Sequence, residues 1–473
     1  MKRVLLTVHK FFPQHRAGTE VLTLKIAQSL IERGYVVKVV TCEPPDLDAR
    51  FKEEHKEQAL SYEYEYEGVP VHVIGERLRL TDYDFSYEYY HPQIKRHFMG
   101  IIDDFKPDLI QMVHAQNLSA SIVEAAKQKN VPVVFYSTDF WFVCPIVQLK
   151  RPNGDVCRGP GPHGLKCLDC YTPKLFPPGG EIVEAIEHKY QTLGTAINAM
   201  PGPLKSLTCG ALSTAYCLSK TPGAVRATLD RPAVLRNFAN QIDQIMVPTK
   251  LMRDIFVENG IAPGKITHVP FGIDTSKLVG YQNKIVADKL RVGFIGTFFE
   301  HKGVDLLLKA FHALPSKPAS ELKLYGDPQQ FPEYFAKLKK IAEGGPRKQD
   351  VHFMGTFPND KLGEVLQEID ILAVPSRWYE NTPLVMQSAL ATRTPLVVTD
   401  LGGMSELVKD GENGLLFKLN DHGSLREKLL SVLKNRSLLT GFMNNIKPER
   451  TVPAMVDDIE SVWARVLTVP AGK

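Results

Sequence analysis

The residues best suited to chemistry lie between Pro375 and Glu406, where polar groups fall at the ends of predicted strands and helices. A short apolar strand, Ile371 to Ser376, is followed by Glu380 in a loop. Thr382 is a predicted N-cap and Pro383 a predicted first helical residue, because these residue types favour those positions. A helix that begins there directs free N–H groups and its positive dipole end toward the loop. The pattern therefore predicts an anion-binding site.

A second glycine-containing loop follows the next predicted strand, Pro395 to Thr399. Gly402 and Gly403 in this loop would allow the backbone to approach a ligand closely. Glu406 stands where a further helix is expected to open. In an open α/β sheet, ligands bind at the carboxyl ends of the strands, so both loops are expected to face one crevice.

This stretch resembles the donor-sugar site of the retaining, GT-B-fold glycosyltransferases of family 4 (glycosyl transferases group 1). The family pattern is a glutamate, a proline-started helix, a second glutamate and a GG-x-x-E loop. Glu380, Pro383 and Gly402-Gly403-Met404-Ser405-Glu406 match it, but the second glutamate is Ser388 here. The resemblance implies that Glu380 contacts the sugar, whereas ribose binding lacks its usual carboxylate. The resemblance assigns these residues to donor binding: Gly18, Thr297, Asn381, Thr382, Pro383, Leu384, Ser388, Gly402, Gly403 and Glu406.

A second family motif precedes the helix expected after the strand near Leu290. The family has G-R or G-T and then K-G; here Thr297 takes the place of the frequent arginine, and Lys302 and Gly303 match. The resemblance implies that the Lys302 ammonium lies beside the donor diphosphate and neutralises the leaving nucleotide. Lys302 and Glu380 are therefore predicted to be catalytic.

The amino-terminal half begins with a predicted strand, helix and strand, which indicates a parallel sheet. A single Gly18 precedes the helix, and this is not the G-x-G-x-x-G of a nicotinamide-dependent dehydrogenase. Two later strands of this half end in His114 and in Thr138-Asp139-Phe140-Trp141. These ends resemble the H-x-H-H and H-D-y-W segments of the family, with Val113 at the usual histidine. The resemblance implies that His114 and Asp139 are polar groups near the reacting sugar.

Four cysteines follow in a loop rich in glycine and proline, as C-x12-C-x9-C-x2-C. The closely spaced last pair has the spacing that lets two thiolates share one tetrahedral zinc. A structural zinc is expected, although unligated thiols and an iron–sulfur cluster or redox pair stay open. A subgroup of the family has a similar insertion, and no cofactor is expected for catalysis. The proposed ligands are Cys144, Cys157, Cys167 and Cys170.

Composition limits the class of protein, its partners and its cellular location. Hydrophobic residues make up 44% and charged residues 23% of the 473 residues, which is ordinary for a globular enzyme, and a net charge of +4 does not indicate a nucleic-acid partner. The apolar run near the first residue is too short for a signal peptide, and no run of about 18 apolar residues occurs. We therefore expect a cytoplasmic protein, with room for peripheral contact at the inner face of the membrane.

The predicted fold class is α/β, of the GT-B type, in which two Rossmann-like domains face a cleft and a C-terminal helix crosses back. Residues 1–280 form the predicted acceptor domain, with a cysteine-rich insertion at about 144–170 and a helical segment at 171–240. Residues 285–450 form the predicted nucleotide-sugar domain, and residues 451–473 form the helix that returns to the first domain.

The predicted function is transfer of a sugar, with retention, from a UDP-, GDP- or ADP-sugar to a glycan, a lipid-linked sugar or a small molecule. The alternative is a catalytically altered GT-B homologue that serves as a binding scaffold, because Val113, Thr138, Thr297 and Ser388 depart from the family pattern. A nucleotide-sugar epimerase on the same fold is a third interpretation, with fewer matching motifs.

Overall fold

A computed structural model describes residues 2–42, 61–75, 84–161, 163–175, 195–197, 199–284 and 287–468. The chain alternates strands and helices and forms two sheets, one in each half. Four central strands are short runs buried at every residue, as expected for parallel sheets covered by helices: Leu109–Met112, Val133–Tyr136, Ile371–Val374 and Leu396–Thr399.

The first sheet has eight strands in the described residues, in the order β3-β4-β2-β1-β5-β6-β7-β8. All neighbours are parallel except β3 and β4, which form an antiparallel pair. Its strands are β1 (Arg3–Thr7), β2 (Val36–Cys42), β3 (Ser61–Tyr66), β4 (Val69–Ile74), β5 (Leu109–Met112), β6 (Val133–Tyr136), β7 (Gln244–Val247) and β8 (Ile266–His268). Its helices are α1 (Gly18–Glu32), α2 (Pro92–Phe105), α3 (Ser121–Gln128), α4 (Leu165–Leu175), α5 (Gly202–Gln241) and α6 (Lys250–Glu258).

The second sheet has six parallel strands in the described residues, in the order β11-β10-β9-β12-β13-β14. Its strands are β9 (Leu290–Ile295), β10 (Ser320–Tyr325), β11 (Val351–Gly355), β12 (Ile371–Val374), β13 (Leu396–Thr399) and β14 (Gly414–Phe417). The helices of this half are α7 (Val304–His312), α8 (Pro332–Gly344), α9 (Leu362–Gln367), α10 (Leu384–Ala391), α11 (Gly403–Leu407), α12 (His422–Lys434) and α13 (Ser437–Asn445).

The last helix, α14 (Val452–Leu467), packs on the first domain rather than on the second. Its buried face shares a hydrophobic cluster with α1 and β1, and Trp463 Nε1 donates to Gln111 Oε1 of β5 at 3.0 Å. On its surface, Arg33 at the end of α1 pairs with Asp457 at 2.8 Å. The chain therefore crosses from the second domain back to the first.

The helical segment predicted at 171–240 is described in part. Helix α4 reaches Leu175 and α5 covers Gly202 to Gln241, while residues 176–194 and 198 lie outside the described residues, as do residues 469–473 of the returning segment. Among the helices that the structure describes, α5 included, none combines the length and apolar character needed to cross a bilayer.

Candidate functional site

The carboxylate of Glu380 is the centre of the polar network in the second domain. It follows β12 and is only 7% exposed. Its Oε1 accepts hydrogen bonds from Lys302 Nζ at 2.6 Å, Ser376 Oγ at 2.8 Å and Trp378 Nε1 at 2.8 Å. Burial alone would raise the pKa of Glu380, but the charge and hydrogen bonds of these neighbours lower it. The site therefore holds a charged acceptor in a largely water-free position.

Lys302 reaches Glu380 because the chain turns sharply after the 3-10 helix that ends at Lys302. Gly303 has φ +69°, and a Cβ there would lie 2.0 Å from the carbonyl oxygen of Pro375, so the turn requires glycine. Lys302 also lies over the ring of Trp378, 5.6 Å from its centroid. An ammonium has three N–H donors, so the bond to Glu380 leaves capacity for an oxyanion.

Thr297, the other predicted residue of this motif, lies half-buried in the loop that follows β9. Its carbonyl oxygen accepts the backbone N–H of Phe299 at 2.9 Å. The loop is therefore held by backbone bonds, and the arginine common in the family has no counterpart at this position.

The start of α10 differs from the sequence prediction. Thr382, the predicted N-cap, has φ +64°, and Pro383 takes the position before a helix that runs from Leu384 to Ala391 with no side-chain cap. The predicted start was wrong by one residue, because Pro383 has a non-helical backbone (φ −54°, ψ 127°) and therefore precedes the first helical residue. A left-handed conformation is unusual for a β-branched residue, and such backbone strain is concentrated at functional sites. The first N–H groups of α10 are therefore left without a side-chain partner.

Ser388 occupies the position where the resemblance implies a carboxylate. Its Oγ donates to the carbonyl oxygen of Leu384 at 3.0 Å, one turn earlier in α10, and its side chain is buried. The neighbouring Gln387 donates from Nε2 to the carbonyl oxygen of Phe271 at 2.9 Å. The serine is thus satisfied inside its own helix and presents no charge to a ligand.

The glycine loop after β13 packs against the Glu380 loop. A Cβ on Gly403 would lie 2.4 Å from the carbonyl oxygen of Glu380, so the close approach expected at this glycine is made to protein backbone. At Gly402, φ is +58°. Glu406 accepts the backbone N–H groups of Lys250 at 2.9 Å and Leu251 at 2.8 Å. Glu406 therefore lies at the positive end of α6 and links the two domains.

In the first domain, His114 and Asp139 follow β5 and β6 and are bonded to each other. The backbone N–H of Gln116 donates to His114 Nδ1 at 2.9 Å, so Nε2 carries the proton that the imidazole donates to Asp139 Oδ2. The other oxygen of Asp139 accepts the backbone N–H of Trp141 at 2.9 Å. The orientation of this pair is therefore fixed from both ends.

His9 and Glu20 complete this polar group, although the sequence motifs do not include them. The His9 ring lies on the His114 ring with centroids 4.1 Å apart, and His9 Nε2 is 3.5 Å from Glu20 Oε1. Burial raises the pKa of Glu20 and lowers that of His9 well below its usual range, the latter with help from His114 and nearby cations. The sequence signal was present, because His9 follows β1 as His114 follows the adjacent β5.

The two polar groups meet where the domains touch. Asn381 Nδ2, next to Glu380, donates to the carbonyl oxygen of Thr138 at 3.2 Å. The Cβ position of Gly18, at the start of α1, lies 3.9 Å from Leu384 at the start of α10. Neither α1 nor α10 has a side-chain N-cap. The starts of two helices, the Glu380 network and the His114–Asp139 pair therefore border one crevice.

The four cysteines of the predicted zinc site are free thiols. Burial raises the pKa of Cys144 to about 11 and that of Cys167 to about 12, which favours the protonated form. Within the described part of the chain, no three His, Cys, Asp or Glu side chains are grouped so that they could hold a metal ion. The residues as placed do not fit a zinc site, and zinc stays a prediction that metal analysis of the purified protein can test.

Residues 281–448 match the family model described as glycosyl transferases group 1. The chain is 32% identical over 148 residues to an uncharacterized glycosyltransferase of Methanocaldococcus jannaschii, covering 31% of this chain and 38% of that protein. It is 31% identical over 148 residues to a D-inositol 3-phosphate glycosyltransferase of Corynebacterium urealyticum, covering 30% of this chain and 35% of that protein. The chain spans 25% and 53% of the length of two further curated relatives.

A solved structure with the same arrangement of domains is HepE of Anabaena in complex with UDP and glucose. The TM-score is 0.62 at 16% identity, over 98% of this chain and 100% of that chain. At this identity the likeness concerns the fold, and it confirms the predicted architecture of two Rossmann-like domains. The chain therefore has the GT-B fold, and its residues 281–448 match the glycosyl transferases group 1 family.

Proposed function

We propose that the protein is a glycosyltransferase that moves a sugar from a nucleotide-sugar donor to an acceptor with retention of anomeric configuration. The observation that carries the proposal is the buried Glu380 carboxylate, paired with Lys302 beside the uncapped start of α10. A negative group for sugar hydroxyls and a positive group for phosphate oxygens lie in one crevice. A site that binds a nucleotide-sugar needs both of these groups.

The roles follow from charge and geometry. Glu380 would accept hydrogen bonds from the donor sugar, and Lys302 with the free N–H groups of α10 would stabilise the charge that develops on the departing diphosphate. The His114–Asp139 pair would lie on the acceptor side. In this proposal residues 285–450 bind the donor, residues 1–280 bind the acceptor, and residues 451–473 return to the first domain.

The names of similar proteins support the same class. HepE is described in complex with UDP and glucose, and relatives named as glycosyltransferases match the chain over 148 residues. We propose a UDP-, GDP- or ADP-sugar as donor and a glycan, lipid-linked sugar or small molecule as acceptor. The proposed location is the cytoplasm, with peripheral contact at the inner membrane face.

One observation favours a second candidate, a GT-B scaffold that binds a ligand without transfer. The Ser388 hydroxyl donates its hydrogen bond within α10, and Thr297 stands where the family frequently has an arginine. Two contacts expected for the nucleotide are therefore absent at these positions. The two candidates differ in one measurable property: the transferase moves a sugar from donor to acceptor, whereas the scaffold only binds its ligand.

Calorimetric titration of the protein with UDP, GDP and ADP tests the donor site. We expect micromolar binding of one nucleotide, and its loss in Lys302→Ala, because in this proposal the variant removes the ammonium that pairs with Glu380 and neutralises the diphosphate. Lys339→Ala, which removes an exposed lysine of α8, is the matched control. Absence of binding to all three nucleotides would overturn the transferase proposal.

The reaction itself is tested by NMR on the matching nucleotide-sugars with a panel of acceptors. Retention predicts that the new glycosidic bond has the anomeric configuration of the donor. Nucleotide binding without transfer to any acceptor would favour the scaffold, and an isomerised donor in the absence of acceptor would indicate an epimerase.

A further inference from the structure

His9 Nδ1, Glu20 Oε2 and Asn381 Oδ1 are buried polar atoms beside the crevice, and none of them has a hydrogen-bond partner among the residues that the structure describes. Buried polar groups in proteins are nearly always paired, because an unpaired group has lost its water without replacement. Two of the three atoms are oxygens, and each oxygen belongs to a side chain whose other polar atom is engaged. These atoms therefore mark places where a ligand could complete the hydrogen bonding.

The three atoms come from elements that meet around the His114–Asp139 pair. His9 stacks on His114, and Glu20 contacts His9 from the first turn of α1. Asn381 comes from the second domain and bonds to Thr138, the residue before Asp139. The group thus lies on the acceptor side of the crevice and next to Glu380.

The charge of this group decides what kind of ligand suits it. The pKa shifts of Glu20 and His9 both favour the uncharged forms of these side chains. The basic groups that act on His9 are His114, Lys10 and His15, and the carboxylates of Asp139 and Glu380 border the same space. An anion here would place its oxygens against two carboxylates and against the unpaired oxygens of Glu20 and Asn381.

A hydroxyl group can pair with these unpartnered atoms without adding negative charge, whereas a phosphate cannot. A hydroxyl donates one hydrogen bond and accepts others, so it can donate to an unpaired oxygen and accept from an imidazole N–H. We propose that His9, Glu20 and Asn381 bind hydroxyl groups of the acceptor, and that the reacting end of the acceptor is an uncharged sugar or polyol ring without a phosphate. This inference rests on the proposed transferase function and specifies its acceptor.

Binding of small probes tests the proposal directly. The protein is first saturated with UDP, GDP or ADP, whichever binds, and saturation-transfer NMR then measures affinities for methyl α-D-glucopyranoside, methyl α-D-mannopyranoside and myo-inositol. D-glucose 6-phosphate and D-mannose 6-phosphate are the charged counterparts. We expect at least one uncharged probe to saturate the protein, and its phosphorylated counterpart to bind about tenfold more weakly or not at all.

Matched variants assign the effect to the named side chains. Glu20→Ala and His9→Phe should each lower the affinity for the uncharged probe about tenfold, because each variant leaves a probe hydroxyl or a protein group without a hydrogen bond. Glu20→Gln should stay within about threefold of wild type, because it keeps an uncharged hydrogen-bonding group of the same length. All three variants should keep the nucleotide affinity of wild type, which a general loss of structure would not predict.

Several results would overturn the inference. These are tighter binding of a phosphorylated probe, no saturation by any uncharged probe, or uncharged-probe affinities that the variants leave unchanged. If Glu20→Ala weakened a nucleotide-sugar but not the free nucleotide, the group would serve the donor sugar instead. Failure of wild type to bind any nucleotide would count against the proposed function, whereas failure of the probes with intact nucleotide binding would count against this inference alone.

Discussion

The two sides of the crevice satisfy their buried polar groups in different ways. On the proposed donor side, one oxygen of Glu380 accepts three hydrogen bonds, including a charged one from Lys302. On the proposed acceptor side, His9 and Glu20 make a longer contact of 3.5 Å, and each retains a buried atom that has no partner in the described part of the chain. The first side is assembled around a charge, and the second is assembled from groups that burial drives toward neutrality.

The difference agrees with the roles that we propose for the two sides. A side that must stabilise a departing diphosphate benefits from charges that are fixed before the reaction, since these need not reorganise. A side that must recognise hydroxyl groups benefits from uncharged donors and acceptors, since these avoid the cost of burying a charge. Substitutions on the two sides should therefore have different signatures, which the following measurements can separate.

The largest effect is expected from Lys302→Met. Removing the ammonium leaves the buried Glu380 carboxylate without its cation, which should lower the free energy of unfolding by about 3 kcal/mol. Denaturant unfolding measures this loss. The double variant Lys302→Met/Glu380→Gln should recover much of it, because no charge is then left buried. Equal stability of the single and double variants would show that the unpaired Glu380 charge is not the cause of the loss.

Asp139→Asn should reduce transfer without reducing nucleotide binding. The variant keeps the shape but removes the carboxylate that accepts the proton-bearing Nε2 of His114, and we expect kcat to fall on the order of 100-fold. Steady-state kinetics with calorimetry in parallel gives both quantities. A parallel loss of nucleotide affinity would place Asp139 with the donor side and remove the contrast between the two sides.

Glu449 lies just before the segment that returns to the first domain, near Gln387 of α10, and burial raises its pKa from 4.5 to about 7. Between these values the folded chain holds a proton that the unfolded chain has released. Stability should therefore fall as the pH rises through this window, by at most about 1.4 kcal/mol per pH unit. Glu449→Gln should flatten that slope in denaturant midpoints measured from pH 5 to 8. An unchanged slope would contradict the assignment.

The smallest effect is expected from Glu406→Gln. The variant removes a charge from the start of α6, and such a charge contributes about 0.3–1 kcal/mol. We expect faster hydrogen exchange of the Lys250 and Leu251 amides and no change in nucleotide affinity. Glu412→Gln, at an exposed site, is the control. A large loss of nucleotide affinity would instead support the donor-binding role that the sequence motif implies for Glu406.

The sequence by itself determined the fold class and the neighbourhood of the site. Alternating apolar strands and helices predict two parallel sheets, and the carboxyl ends of parallel strands share one edge. Glu380, His114 and Asp139 each follow a strand, so their approximate position could be inferred from chain order alone. The approximate position of these side chains can be predicted because local periodicity locates the strands, and the topology of parallel sheets brings the strand ends together.

Only the tertiary structure decided which side chains pair. Lys302 and Glu380 are 78 residues apart, and Glu406 reaches an α6 amide 156 residues away, so these contacts depend on how loops and domains pack. The left-handed Thr382 reflects the same packing. His9 and His114 come together only when β1 and β5 lie side by side. Side-chain direction across long separations is set by the whole fold, and no local pattern of residues encodes it.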